Sequence, residues 1–123
     1  MNGVRLLENA DYPLDTWSYS PSEPYPEYGF QNIASAPNPI YSSVRSLLYD
    51  CGLDLANYDT PGWNPLGKWI KPGGSVFILC NFVQERRGLQ SERELLSKCS
   101  HGSVLRAVCD YVLIALKLSL IHI

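Results

Sequence analysis

"GSVFILCNFVQERRG", residues 74–88, is the stretch on which the fold class turns. From Val76 to Val83 every residue is apolar except Asn81. The run is rich in β-branched and aromatic side chains, follows a pair of glycines and gives way to charges. Such a pattern predicts a strand buried on both faces, as in a parallel sheet covered by helices. Asn81 then falls at the carboxyl end of that strand, where open α/β sheets bind ligands.

The segments on either side are consistent with that reading. "NPIYSSVRSLLYDCG" predicts a helix from Asn38 to Cys51. Asn38 can cap it, Pro39 suits the first helical position, and Gly52 can take the left-handed conformation that ends it. Tyr41, Val44, Leu48 and Cys51 recur at helical spacing as one apolar stripe. "LDLANYDTPGWNPLGKWIKPGG" reads as a connection, with a turn of helix at Asn64-Pro65 and a strong turn at Lys71-Pro72-Gly73-Gly74. Val4–Glu8 is a second short apolar run and a candidate first strand. "DYPLDTWSYSPSEPYPEYGFQNIASAPNP" is an irregular Pro- and Tyr-rich segment, because Pro13, Pro21, Pro24 and Pro26 forbid a helix and interrupt a ladder. "SERE" at 91–94 has capping-box spacing. "SHGSVLRAVCDYVLIALK" predicts a helix capped at Ser100, apolar except for a stripe of Ser103, Arg106, Asp110 and Lys117.

Strand, helix, strand, helix in that order predicts an α/β fold: an incomplete βαβα unit of a parallel sheet preceded by the Pro/Tyr-rich segment. The Val4–Glu8 and Val76–Phe82 runs are expected as parallel neighbours joined by the Asn38–Cys51 helix. Residues 1–117 read as the front part of one α/β domain, and residues 118–123 as a non-native tail.

Composition narrows the function classes. The chain has 123 residues, 46% hydrophobic and 18% charged, with a formal net charge of −2. That is ordinary globular composition for one domain. The acidic balance gives no electrostatic case for nucleic acid or an anionic membrane. No apolar stretch has the length of a signal peptide or a membrane span. The four cysteines, Cys51, Cys80, Cys99 and Cys109, show no C-x-x-C spacing and read as reduced thiols in a cytosolic protein.

"YPEYGF", "NPIYSSVRSLLYDCGLD", "NPLGKWIKPGGSVFILCNFV" and "SHGSVLRAVCDYVLIALK" together resemble the N-terminal part of the domain of unknown function 362 family. The resemblance runs to Lys117. It implies the front portion of a longer α/β domain whose C-terminal part is the expected partner. It also implies a link to polysaccharide biosynthesis or redox chemistry, since some relatives hold iron–sulfur clusters with closely spaced cysteines, a spacing this chain lacks. The family pattern ends its buried strand in Lys-Pro-Asn and opens the next helix with Thr-His. Here Asn81 matches the asparagine, Leu79 and Cys80 stand in place of lysine and proline, and Ser100-His101 stands in place of Thr-His.

The candidate ligand-binding residues are therefore Asn81, Ser100, His101, Gly102 and Ser103. The free N–H groups of a helix N-terminus favour an anion, His101 titrates near neutrality, and Asn81 can donate and accept. The expected ligand is a small anion, held mainly by the helix end and by Arg86 or Arg87. A Cys80–His101 nucleophile pair and a Cys80/Cys99/His101 metal site carry less weight than core packing of the cysteines. No metal site is expected, and neither catalytic residues nor a cofactor are specified. Two function classes follow: an anion- or phosphate-binding enzyme of the α/β type, or a non-catalytic binding or assembly module that docks a partner through the Tyr/Pro-rich segment.

Overall fold

The structure, a computed structural model, describes residues 2–7, 12–13, 19–81, 91 and 99–117. Its regular elements are two helices, α1 (Pro39–Asp50) and α2 (Gly102–Lys117), which pack against each other. A single 3-10 turn, Leu55–Asn57, follows α1.

The start and stop of α1 follow from its sequence. The Asn38 side-chain oxygen accepts from the Tyr41 N–H at 3.2 Å, and Pro39 takes the first turn. At the other end Gly52 adopts φ +76°. Its N–H donates to the Tyr49 carbonyl at 2.8 Å, and the Leu53 N–H donates to the Leu48 carbonyl at 3.4 Å. These paired bonds satisfy carbonyls that would otherwise be left open.

Asn38 also ties the Pro/Tyr-rich segment to the helix. Its side-chain nitrogen donates to the carbonyls of Tyr19 and Ser20 at 3.0 and 2.8 Å, and its backbone N–H donates to Ser22 Oγ at 3.1 Å. From Tyr19 to Asn38 the chain lies on both helices and supplies part of the core. Tyr28, Tyr41, Trp63, Ala107, Tyr111 and Ile114 form the buried cluster. Tyr28 meets Tyr41 edge-on at 6.1 Å, and Trp63 meets Tyr111 edge-on at 5.5 Å. Edge contacts of this kind add to the burial of large rings.

Two ion pairs run through this aromatic core. Glu27 and Arg45 pair in two-pronged fashion, with Nε–Oε1 at 2.6 Å and Nη2–Oε2 at 3.2 Å. The Tyr111 hydroxyl donates to Glu27 Oε1 at 2.8 Å. Arg45 also donates to the Tyr58 hydroxyl at 2.8 Å and to Asp59 at 3.0 Å, and its guanidinium lies over the rings of Tyr25 and Tyr58 at 4.4 and 4.7 Å. The second pair is Arg106–Asp110 at 3.0 Å. Asp110 accepts from the Tyr41 hydroxyl at 2.9 Å, and Arg106 donates to the Tyr28 hydroxyl at 3.0 Å. A buried charge is tolerated when it is paired and hydrogen-bonded, and both oxygens of each carboxylate here are engaged.

Two of the four phenols in these networks, Tyr41 and Tyr111, give a pH dependence. Burial and the neighbouring Asp110 carboxylate push the Tyr41 hydroxyl well above its usual range, and burial and Glu27 do the same to Tyr111. Above about pH 10 the unfolded chain releases protons that the folded chain keeps, so stability falls as pH rises, by about 1.4 kcal/mol per pH unit for each phenol. The urea midpoint is expected to drop between about pH 9 and pH 11. An unchanged midpoint would mean that both phenols ionise as readily in the folded chain.

The α/β expectation is overturned. The described residues contain two helices and no strand, so the described fold is helical and no parallel sheet pairs Val4–Leu7 with Val76–Asn81. Val4 and Leu6 are exposed. Their segment lies beside the end of α1, where Arg5 pairs with Asp50 at 2.7 Å. In the 76–81 run Phe77 and Leu79 are 87% and 86% exposed, whereas Ile78 and Cys80 between them are half-buried. The alternation is that of an extended chain with one face against the protein. An apolar run records a preference for burial but does not supply the second strand whose backbone would complete a ladder. Glu8, Phe82, Glu92–Glu94 and Leu118–Ile123 lie outside the described residues.

The polar stripe of α2 faces mostly inward. Ser103 and Asp110 are buried on the core side and Arg106 is half-buried, while Leu113 on another face is exposed. Arg106 and Asp110 point inward because tyrosine hydroxyls and their own ion pair satisfy them there, while Lys117 at the end of the stripe is exposed.

Candidate functional site

The helix N-terminus singled out by the sequence is built from Asn81 and Ser100–Ser103, and the structure brings these together. The Asn81 N–H donates to Ser100 Oγ at 3.0 Å, and the Ser100 N–H donates to the Asn81 carbonyl at 2.9 Å. The cap of α2 is His101, one residue later than expected. Its carbonyl accepts from Val104 and Leu105, and its Nδ1 accepts from the Ser103 N–H at 3.2 Å. Ser103 Oγ lies 2.8 Å from the same nitrogen, and Ser103 is fully buried. Burial lowers the pKa of His101, which favours the neutral ring that can accept at Nδ1.

Aromatic rings cover this end of the helix. Tyr12 stacks on the His101 ring at 4.1 Å and Tyr19 approaches its edge at 5.4 Å. A Cβ on Gly102 would meet the Tyr19 ring at 2.8 Å, so glycine is what lets that ring close over the helix start. The N–H groups of Ser100 and Ser103 are thus engaged within the chain. Arg86 and Arg87 lie outside the described residues.

A second candidate lies elsewhere. It is an open cleft of about 800 Å³ between Cys51–Asp54 with Asn57 on one side and Asn64–Pro72 on the other, with Ala115 of α2 at its base. The chain reversal after α1 builds it. Gly52 ends the helix, and Asp54 follows in the left-handed region at φ +50°, which aspartate tolerates better than most residues. Asp54 then binds both walls: Oδ1 accepts from Asn57 Nδ2 at 2.8 Å and Oδ2 accepts from the Asn64 N–H at 2.9 Å. Trp63 anchors the far wall, fully buried, with its indole N–H donating to the Leu53 carbonyl at 3.0 Å. Beyond Asn64 the chain runs through consecutive turns, one of them a single helical turn closed by the Ile70 N–H on the Leu66 carbonyl at 3.0 Å, and the Lys71 carbonyl accepts from Gly74 at 3.0 Å across the Pro72-Gly73 turn.

Three groups in this cleft are chemically conspicuous. Lys68 and Lys71 line it and are exposed. Trp69, between them in sequence, is 49% exposed, with the Lys68 ammonium 5.7 Å from its ring centroid. Asn64 carries a buried side-chain oxygen that accepts no hydrogen bond. Asp54, by contrast, has both carboxylate oxygens engaged by the walls. None of these residues was singled out from the sequence. The signal that could have found them is "NPLGKWIKPGG", in which one tryptophan sits between two lysines inside a string of turns.

Among the described residues no group of three or more His, Cys, Asp or Glu side chains is placed to hold a metal ion, and no helix is long and apolar enough to cross a membrane. No family model matches the chain, and neither a curated protein nor a solved structure matches it, so the resemblance read from its motifs gains no support there.

Proposed function

We propose that this chain is a binding module that holds a small phosphate-bearing anion in the cleft between Cys51–Asn57 and Asn64–Pro72. The observation that carries the reading is the charge balance of that cleft. Its acidic residue, Asp54, is spent on holding the walls together, while Lys68 and Lys71 face the opening. The Lys71 ammonium donates to the Gly67 carbonyl at 3.0 Å, which leaves two of its three donors for a ligand. A cationic cleft on a chain of net charge −2 is a local concentration of positive charge against the general balance. The expected anion thus has a better-placed home here than at the α2 start, where Ser100 and Ser103 are already bonded within the chain. Four free thiols, Cys51, Cys80, Cys99 and Cys109, support a reducing, cytosolic setting.

The test is calorimetric titration with inorganic phosphate, ribose 5-phosphate and AMP at low and raised salt. At least one of the three is expected to bind, more weakly as salt rises, because exposed charges are screened. The Lys68→Ala/Lys71→Ala double variant is expected to lose that binding while keeping its fold, since both side chains are on the surface. Absence of binding by all three, or undiminished binding by the double variant, would overturn the reading.

A further inference from the structure

We infer that the anion in this cleft is nucleotide-like: a planar base bearing an exocyclic amino group, joined through a sugar to a phosphate. The inference rests on the proposed anion site and adds the identity of the rest of the ligand. Two observations beyond the lysines carry it.

The first is Trp69. A tryptophan 49% exposed on the wall of a cleft leaves much of an indole ring in water. Trp63, by contrast, fills the core beneath the same loop with no surface exposed. An exposed indole beside a concavity is a platform for another planar ring, and every nucleobase has such a face. Lys68 and Lys71 flank Trp69 in sequence and line the same cleft, so one ligand can reach ring and ammonium groups together. A simple inorganic anion would use the lysines and leave the indole without a role.

The second is Asn64. Its Oδ1 is buried and accepts no hydrogen bond. An unsatisfied buried acceptor calls for a donor. The phosphate group of a monoester, a dianion at neutral pH, offers only acceptors, so the donor comes from the rest of the ligand. An exocyclic amine of a base stacked on Trp69 supplies one. Asn64 is also held in place: its N–H is fixed by Asp54 Oδ2, and a Cβ on Gly67 would collide with its side chain, so that glycine lets the amide lie flat against the turn. For a base to take up that acceptor the amide turns toward the opening, since the oxygen is buried as it stands while Asn64 lines the cleft. The cleft volume, about 800 Å³, falls in the range of small-molecule sites and leaves room for base, sugar and phosphate.

The experiment compares AMP, ribose 5-phosphate and inorganic phosphate on the full chain and on Trp69→Ala, which removes an exposed side chain. Titration calorimetry and tryptophan fluorescence are read together. AMP is expected to bind at least about tenfold more tightly than ribose 5-phosphate and to quench fluorescence, since base stacking accounts for a factor of this size. Trp69→Ala is expected to erase that advantage and leave ribose 5-phosphate binding unchanged. If AMP and ribose 5-phosphate bind alike, or if Trp69→Ala weakens both equally, the nucleotide inference falls and the anion site stands. If none of the three binds, both fall.

Discussion

Glu27→Ala is expected to lower the unfolding free energy by about 3–5 kcal/mol. The Glu27 side chain is fully buried, and that of Arg45 is 9% exposed. Removing the carboxylate leaves a guanidinium enclosed by Tyr25, Tyr58 and Trp63, with only the more exposed Asp59 as a counter-charge. It also strands the Tyr111 hydroxyl, whose acceptor was Glu27. A loss of that size is a large part of the 5–15 kcal/mol that typically separates folded from unfolded chains. Glu27→Gln keeps one acceptor oxygen, which Tyr111 and Arg45 Nε can share, and loses only the second oxygen that accepts from Arg45 Nη2, so its effect is expected to be smaller than that of Glu27→Ala. The pairing can be separated from the shape by Glu27→Met/Arg45→Met, which replaces both charges with apolar groups of similar volume and is expected to recover much of the loss. Urea unfolding of the four proteins measures this. Equal midpoints for the parent and Glu27→Ala would mean that the pair is not buried in solution.

Trp63→Ala is the second large effect, about 3–5 kcal/mol. Trp63 has no exposed surface and packs against Tyr58 at 5.0 Å and Tyr111 at 5.5 Å. It links the loop after α1 to α2, so its removal opens a cavity at the point where three segments meet. The Leu53 carbonyl simultaneously loses the indole N–H. Trp63→Phe keeps most of the volume and is expected to cost clearly less. Because the same residue anchors one wall of the cleft, Trp63→Ala is also expected to weaken any ligand bound there, which a titration at low denaturant would show.

The sequence made some of this legible. Asn38, Pro39 and Gly52 act locally, through the bonds they make with residues a few positions away, and α1 begins and ends where they indicate. The apolar stripe of Tyr41, Val44 and Leu48 likewise faces the core. The long-range arrangement was not legible, because it depends on partners far apart in the chain. Glu27 sits in a segment whose prolines read as irregular, yet it is among the most buried groups, since Arg45 is 18 residues away and Tyr111 is 84. The stripe of Ser103, Arg106 and Asp110 was visible as a stripe, but polar residues face inward when hydroxyls such as those of Tyr28 and Tyr41 await them. The 76–81 run was legible as apolar and extended, whereas its exposure depends on what stands beside it. At the candidate sites, the Asn81 backbone meets the N–H and hydroxyl of Ser100, while the cleft was hidden because Asp54, Asn64 and Trp69 converge only through a left-handed residue and a string of turns.

The central claim is that residues 19–38 of the Pro/Tyr-rich segment lie on both helices and contribute Glu27 and Tyr28 to the core, where Glu27 ties Arg45 of α1 to Tyr111 of α2. Nuclear Overhauser spectroscopy on the labelled chain tests it most directly. Strong contacts are predicted from the ring protons of Tyr111 to those of Trp63 and Tyr41, and from Tyr28 to Tyr41. Absence of these ring contacts, with backbone contacts between residues 4–7 and 76–80 of the kind adjacent strands give, would contradict it.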